Sequence, residues 1–278
     1  MKIINKIEKV ISPYFTNKLH DKTMKVSLYV QFIAFLVGLV TFKVKIKNEN
    51  KVLYEIIFLE TGVQLIEFMF YIFFSLYINT QNDFAHIRYY DWVITTPTML
   101  LSSIMFFEYM NNKELSKNNT NNTNNTNNTD NKNNNSNQIY FDIKEVSYLE
   151  KTRNFIIENK SILLKIFLLN TAMLAFGYLG QINMMDLNTS VFLGTLCFAY
   201  YFYLIYVNYV KKIINNKEYI NKTNNYLFII LLSIWSIYGV AALFSKFIKN
   251  SVYNILDIFS KNFYSLYLAY FIFYVANN

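Results

Sequence analysis

The sequence predicts an all-α protein, a bundle of seven transmembrane helices with its N-terminus outside the cell and its C-terminus in the cytoplasm. Of its 278 residues, 54% are hydrophobic and only 16% are charged, which is too apolar for a typical soluble domain. The apolar residues fall in seven blocks, most of them close to the roughly 20 residues that a helix needs to cross a bilayer. Backbone groups in lipid must be bonded internally, so each block is interpreted as a helix.

The seven predicted spans follow an N-terminal segment, residues 1–25, and form a membrane domain, residues 26–278. They cover residues 26–42, 54–78, 89–110, 162–184, 190–210, 226–248 and 253–276. In the N-terminal segment, apolar residues recur at helical spacing with lysines between them, up to Pro13. This pattern predicts an amphipathic helix that lies on the membrane surface and ends near the proline, with a floppy basic tail as the alternative.

Lysines in the connections predict the orientation. The connections after the first, third and fifth spans are basic, whereas the connection after the fourth has no Lys or Arg and the one after the sixth has two lysines, Lys246 and Lys249. The positive-inside rule then puts the three basic connections in the cytoplasm. The lysines of the N-terminal segment oppose this orientation, but three connections agree on it.

An insertion of different composition separates the third and fourth spans. Residues 111–138 contain repeated Asn-Asn-Thr triplets with almost no apolar residue. Such a tract cannot offset the entropy cost of ordering, so it is expected to be a disordered cytoplasmic insertion. Residues 139–160 mix apolar and charged residues and are expected to extend the fourth span or to form a short amphipathic helix.

The composition also excludes several classes of function. In a membrane protein, an excess of positive charge such as the net +8 here usually lies in the cytoplasmic connections. No nucleic-acid partner is therefore expected. Cys197 is the single cysteine, which rules out a disulfide within the chain and a Cys-x-x-Cys metal site. We therefore expect a multi-pass integral membrane protein surrounded by lipid, with neither a metal site nor enzyme activity.

Ionisable residues inside spans are costly and mark candidate functional sites. In the seventh span, Asp257 and Lys261 are spaced i, i+4 and share one helix face. A lysine at this depth is suited to react, as a desolvated amine, with an aldehyde to form a Schiff base. A buried salt bridge in a transporter is the alternative that these two residues leave open.

The third span carries a second polar face. Asp91, Thr95 and Ser102 lie on one side of the helix, and Arg88 sits one turn before Asp91 near the outer end. Pro97 is expected to kink this helix, with neighbouring threonines bonding the freed backbone. A carboxylate here is placed to balance a cation held by the seventh span.

The second span carries an acidic stripe of Glu60, Gln64 and Glu67, spaced i, i+4 and i+7. Hydrogen bonding of protonated carboxyls between helices is one explanation. One wall of a hydrated ion path is the other.

Three motifs together resemble the microbial, or type 1, rhodopsins. Residues 88–92 (RYYDW) with 95–97 (TTP) resemble the signature of their third helix, and residues 256–261 (LDIFSK) resemble that of their seventh. Residues 235–238 (WSIY) resemble the part of the sixth helix that lines the chromophore. The pattern is most similar to that of virus-encoded, channelrhodopsin-like members, which would put the protein in a host cell membrane.

The resemblance implies all-trans retinal as the cofactor, held by Lys261 as a protonated Schiff base. It implies that Asp91 and Asp257 are counterions, with Asp91 also the proton acceptor, that Arg88 is an outer gate and that Tyr71 bonds Asp257. It also implies a homo-oligomer. The residues implied to enclose retinal are Trp92, Thr96, Met173, Gly177, Phe198, Trp235 and Tyr238. Gly239 and Ala242 depart from the pattern and predict a looser pocket.

The same resemblance favours a light-gated cation channel. Glu67 aligns with the glutamate of the central gate in channelrhodopsins, and Asn262 matches that gate's asparagine, so the two are expected to hydrogen-bond between the second and seventh spans. Glu60 and Gln64 continue the row. Ser102 stands where proton pumps keep a carboxylic donor. A light-driven outward proton pump is the first alternative and a photosensory rhodopsin the second. Cations or protons are accordingly the expected transported species.

Overall fold

A computed structural model describes residues 2–77, 84–124, 149–214 and 217–277. In these ranges the chain is mainly α-helical, apart from one short β-hairpin. The helices are α1 (Lys2–Ile11), α2 (Asn17–Thr41), α3 (Val52–Tyr77), α4 (Arg88–Asn124), α5 (Glu150–Glu158), α6 (Lys160–Gln181), α7 (Leu187–Ile205), α8 (Lys222–Ala241), α9 (Lys246–Asp257) and α10 (Phe263–Asn277).

The predicted seven-helix bundle is confirmed. In the described ranges, six helical segments are long and apolar enough to cross a membrane, and they correspond to α2, α3, α4, α6, α7 and α8. The seventh span consists of α9 and α10, joined through one turn of π-helix, Ile258–Asn262. Many large apolar side chains face outward, among them Leu168, Phe192 and Tyr270, as expected of helices whose outer surface contacts lipid.

Helix α2 begins nine residues before the predicted start of the first span. Thr16 caps it by accepting a hydrogen bond from the Leu19 backbone N–H at 3.3 Å. The added turns carry polar residues that point into the bundle: Ser27 donates to the Asn254 carbonyl at 2.6 Å, and His20 is buried. A hydropathy pattern misses these turns because their inner face is polar. The amphipathic helix α1 is separate and ends at Ile11, before Pro13.

The boundary between the sixth and seventh spans also differs from the predicted one. Helix α8 ends at Ala241 and α9 begins at Lys246, whereas the sequence predicted a sixth span to residue 248. Lys246 and Lys249, expected in a loop, lie within α9, and Lys249 is buried with its ammonium donating to Gln181 Oε1 at 2.7 Å. Two lysines in the first turns of a helix gave this region the appearance of a connection.

Helix α4 continues to Asn124, into the segment expected to be disordered. Asparagine and threonine are poor helix formers, but adding residues to an existing, anchored helix avoids the cost of a new nucleus. The rest of the Asn/Thr tract, from residue 125, and the chain up to residue 148 lie outside the described residues.

A short helix, α5, precedes the fourth span and is held by α3. The Glu55 carboxylate accepts the backbone N–H of Lys151 at 3.1 Å and the Thr152 hydroxyl at 2.7 Å. It thereby satisfies free N–H groups at the helix start, as an N-cap does. Of the two forms expected for residues 139–160, α5 is the separate short helix.

The connections that flank α7 are short and polar. Asp186 caps α7 by accepting the Thr189 N–H at 3.0 Å. Hydrogen bonds from Thr189 hold the pKa of this carboxyl below its usual range. After one π-helical turn, Tyr206–Val210, the antiparallel strands β1 (Lys211–Ile214) and β2 (Lys217–Ile220) pair with Lys211 opposite Ile220.

Candidate functional site

Lys261 lies at the centre of the bundle, in the π-helical turn of the seventh span, with 3% of its surface exposed. Single π-turns inside α-helices are frequent at functional sites. The Nζ atom lies 3.1 Å from Asp91 Oδ2 and 3.7 Å from Asp257 Oδ1, and it contacts Glu67 Oε1. One buried amine is therefore surrounded by three carboxyl groups from three spans.

Asp257 is held by a second cation and by two tyrosines. Arg88 Nη1 lies 3.0 Å from Asp257 Oδ2. The hydroxyl of Tyr71 donates to the same oxygen at 2.7 Å, and that of Tyr238 donates to Asp257 Oδ1 at 2.7 Å. Asn254 completes the cluster: its side-chain oxygen accepts from Arg88 and from Tyr71. Arg88 is thus fixed on one side of Lys261 by ionic and hydrogen-bond partners.

Asn254 and Ser260 are site residues that the sequence reasoning missed. Asn254 lies one turn before Asp257 on the same helix face, and Ser260 shares a 2.8 Å hydrogen bond with Tyr238. The helical spacing of Asn254 and Asp257 was the available signal. An asparagine carries no charge, so Asn254 does not stand out from the other polar residues of the span as Asp257 does.

Threonines next to Pro97 bond the backbone of α4. Thr95 donates to the Asp91 carbonyl at 3.1 Å and Thr96 to the Trp92 carbonyl at 2.7 Å, within the turns around Pro97. Asn170 on α6 donates to the Thr96 hydroxyl at 2.9 Å. These bonds fix the helix face that carries Asp91 beside Lys261.

A cavity of about 340 Å³ extends from Lys261 between α4, α6, α7 and α8. All seven predicted pocket residues line it: Trp92, Thr96, Met173, Gly177, Phe198, Trp235 and Tyr238. At Gly177, an added Cβ would lie 2.6 Å from the Tyr89 hydroxyl, so the Tyr89 side chain would have to shift to admit a larger residue here. At Gly239, also in the lining, an added Cβ would meet nothing within 4 Å, which leaves the wall open where the sequence predicts a looser pocket.

The acidic stripe of α3 runs along the other side of Lys261, away from Arg88. Glu60, Gln64 and Glu67 are each at most 1% exposed. Gln64 donates to the Lys261 carbonyl at 3.1 Å, and Glu60 accepts from the Ser102 hydroxyl. Within the described residues, Glu60 Oε2, Gln64 Oε1 and Glu67 Oε2 have no hydrogen-bond partner, and Glu67 Oε1 contacts only Lys261 Nζ. Buried polar atoms of this kind are positions where water is expected.

One expected contact is absent from this site. The alignment of Glu67 and Asn262 with a channel gate implied a hydrogen bond between them. Instead Glu67 contacts Lys261, and the Asn262 amide donates to the Asp257 carbonyl at 3.3 Å. The π-helical turn explains the difference, because Asn262 lies five residues after Asp257 and reaches that carbonyl through the widened turn.

Comparison with known proteins identifies the family. The sequence model of the bacteriorhodopsin-like proteins matches residues 22–275. The chain is a microbial rhodopsin. It belongs to a family that binds retinal through a Schiff base and serves ion transport or light sensing. No curated protein sequence matches the chain.

Solved structures support the same fold. The rhodopsin is similar to the viral rhodopsin OLPVRII, with a TM-score of 0.65 and 23% identity over 92% of this chain and 99% of that one. It is also similar to the rhodopsin of Exiguobacterium sibiricum, with a TM-score of 0.62 and 17% identity over 94% and 97% of the two chains. Xanthorhodopsin, a light-driven ion pump with a dual chromophore, gives a TM-score of 0.59 at 13% identity over 92% of each chain.

The residues of this rhodopsin fit a retinal. The cavity is apolar, its volume lies within the roughly 300–1,000 Å³ of small-molecule sites, and it ends at the one lysine in its lining. Trp92 and Tyr238 meet edge to face at 5.4 Å between ring centroids and form one end of its wall. The amine that would carry the chromophore already has three carboxyl groups within 4 Å.

Proposed function

We propose that this rhodopsin binds all-trans retinal through Lys261 and is a light-gated cation channel. When bound, retinal supplies a light-driven isomerisation of a polyene joined to Lys261 as a protonated Schiff base. The aromatic walls of the cavity hold the polyene and exclude water from it. Asp91 and Asp257 balance the positive charge on Lys261 Nζ, and Asp91 accepts its proton.

The charges around Lys261 support a neutral Glu67. Arg88 and Lys261 contribute two positive charges, and Asp91, Asp257 and Glu67 contribute three carboxyls within reach of them. Uncompensated buried charge is costly, so one carboxyl is expected to hold a proton. Asp257 is bonded to Arg88, Tyr71 and Tyr238, and Asp91 is bonded to Lys261. This leaves Glu67, whose Oε1 contacts Lys261 but whose Oε2 has no hydrogen-bond partner in the described chain.

The row of unpartnered polar atoms on α3 is the observation that carries the channel proposal. Glu60, Gln64 and Glu67 present buried oxygens without hydrogen-bond partners over two helical turns, and Asn262 Oδ1 has none across from them in the described residues. Packing alone does not favour such a row, because each unsatisfied buried group costs about 1–3 kcal/mol. Water and cations are expected to occupy it when the seventh span moves.

Photocurrents recorded at different membrane voltages test this proposal. A channel current reverses with the driving force, because a passive ion follows a potential of about 2.3 kcal/mol per charge per 100 mV. An outward current at every voltage would reject the channel and support a proton pump.

One observation favours the pump as second candidate. Ser102 stands where a pump would keep a carboxylic donor, yet its hydroxyl donates to Glu60, so a carboxyl from α3 occupies that place. The absence of a donor in the α4 sequence therefore does not count against pumping.

Asp91→Asn tests the counterion role. Removing a negative charge 3.1 Å from Lys261 Nζ should shift the absorbance to the red, or lower by about 1–3 units the pH at which the protonated colour is lost. Absorbance spectra across a pH titration measure both effects. An unchanged spectrum and titration would place the counterion elsewhere, and Asp257→Asn is then the next variant.

The orientation and the N-terminal segment remain part of the proposal. The lysine-rich hairpin Lys211–Ile220 and the connection after α2 support a cytoplasmic position for the ends of α3 and α4 nearest to Glu60 and Ser102. Arg88 is then on the outer side. Helix α1 would lie on the outer surface, and its exposed Ile3 and Val10 are suited to insertion among lipids.

A further inference from the structure

Glu60 and Ser102 form a buried pair on the opposite side of Lys261 from Arg88. Glu60 is fully buried on α3, and the Ser102 hydroxyl on α4 donates to its Oε1 and also bonds the Met99 carbonyl at 2.9 Å. Ser102 lies eleven residues beyond Asp91, about 16 Å along the helix axis. The pair is therefore separated from the Arg88–Asp257 cluster by the Lys261 site.

A polar route joins this pair to Lys261. Gln64 is one turn from Glu60 on the same face of α3, and its amide donates to the Lys261 carbonyl at 3.1 Å. Glu60 Oε2 and Gln64 Oε1 are both buried, and neither has a hydrogen-bond partner in the described residues. One or two waters bridging these free oxygens would complete a hydrogen-bonded chain to the Lys261 site.

We propose that Glu60 is the group that returns a proton to Lys261 Nζ from the cytoplasmic side, with Ser102 as its positioning residue. This inference rests on the proposed binding of retinal at Lys261. It does not depend on whether the protein conducts passively or pumps, because the nitrogen must regain its proton in either case. The proton donor is then a carboxyl on α3, because α4 has a serine, Ser102, where proton pumps keep a carboxylic donor.

The proton balance of this step is simple. After Nζ has given its proton to Asp91, the Glu60 carboxyl gives its own proton to Nζ through the bridging water and becomes a carboxylate. The Ser102 hydroxyl, already bonded to Glu60, stabilises that carboxylate through a charge-assisted hydrogen bond. A proton from cytoplasmic water then restores the Glu60 carboxyl. No oxidant, metal or further reactant is required.

Flash absorbance spectroscopy of the retinal-loaded protein tests the role of Glu60. General acids positioned in this way contribute about 10²–10⁴-fold to proton transfer. The recovery of the protonated pigment in Glu60→Gln should therefore slow at least about 100-fold, and a small permeant acid such as azide should restore it. Glu108→Gln is the matched control, since Glu108 lies on α4 outside this route and pairs with Lys212 at 2.7 Å. Its recovery should match the wild type.

Infrared spectra of the retinal-free protein give an independent readout. The carbonyl band of a protonated carboxyl should disappear in Glu60→Gln and shift in Ser102→Ala, which keeps the carboxyl but removes its donor. Recovery of the protonated pigment at the wild-type rate in Glu60→Gln overturns the proposal. A carboxyl band that neither variant changes also overturns it. If Glu60→Gln forms no pigment, the infrared bands and the recovery of the protonated pigment in Ser102→Ala test the proposal instead. Photocurrents that fail to reverse would reject the channel while leaving these measurements intact.

Discussion

Replacing Lys261 with alanine is expected to abolish the visible absorbance that the protein gains with all-trans retinal. Lys261 is the only lysine in the lining of the described cavity, and no other amine is placed to form the imine there. The readout is the visible absorbance of purified protein after addition of retinal. Visible colour in this variant would reject the assignment of Lys261.

Loss of folding must be separated from loss of the imine. Lys261→Ala removes a cation from among three carboxyls, and breaking a buried ion pair costs about 3–5 kcal/mol. Lys261→Arg keeps the positive charge beside Asp91 and Asp257, but a guanidinium stays protonated and cannot form an imine. It should be colourless and still elute as the wild type on size exclusion. Lys249→Ala is the matched control, because it removes another buried lysine of the same span and should keep the colour.

The fold was predictable because its causes are local in the sequence. Blocks of apolar residues predicted all seven spans, and the motifs around Asp91 and Lys261 predicted which two spans meet at the site. The errors lie where the inner face of a helix is polar. His20 and Ser27 on α2 are buried against other spans, so the first span begins earlier than its hydropathy indicates.

The sequence predicted which residues form the site better than it predicted which of them contact one another. The spacing of Glu60, Gln64 and Glu67 identified one helix face, but spacing does not specify which atoms meet. The π-helical turn at Ile258–Asn262 sets the direction of the Asn262 side chain. The residue types in that turn do not predict a π-helix. The sequence alone indicates a missing donor at Ser102, because the contact of Ser102 with Glu60 joins residues 42 positions apart.

Glu67→Gln is expected to change the photocurrent while leaving the colour nearly intact. If Glu67 is neutral, as the balance of two cations and three carboxyls supports, glutamine preserves both its charge and its shape beside Lys261. The absorbance maximum should then stay close to that of the wild type, unlike that of Asp91→Asn. A charged Glu67 would instead give a spectral shift comparable to that of Asp91→Asn.

The current should respond because Glu67 lies in the row of unpartnered atoms next to Lys261. A glutamine cannot ionise when the path hydrates, so it should weaken the attraction for cations beside Lys261. We expect a smaller current or a shifted reversal potential, where a tenfold change in permeability ratio corresponds to about 59 mV. Glu108→Gln, whose carboxyl lies outside the row, should leave both quantities unchanged. If the wild-type current stays outward at every voltage and Glu67→Gln reproduces it, Glu67 is not part of an ion path. The proton pump, reloaded through Glu60, then becomes the function that the site supports.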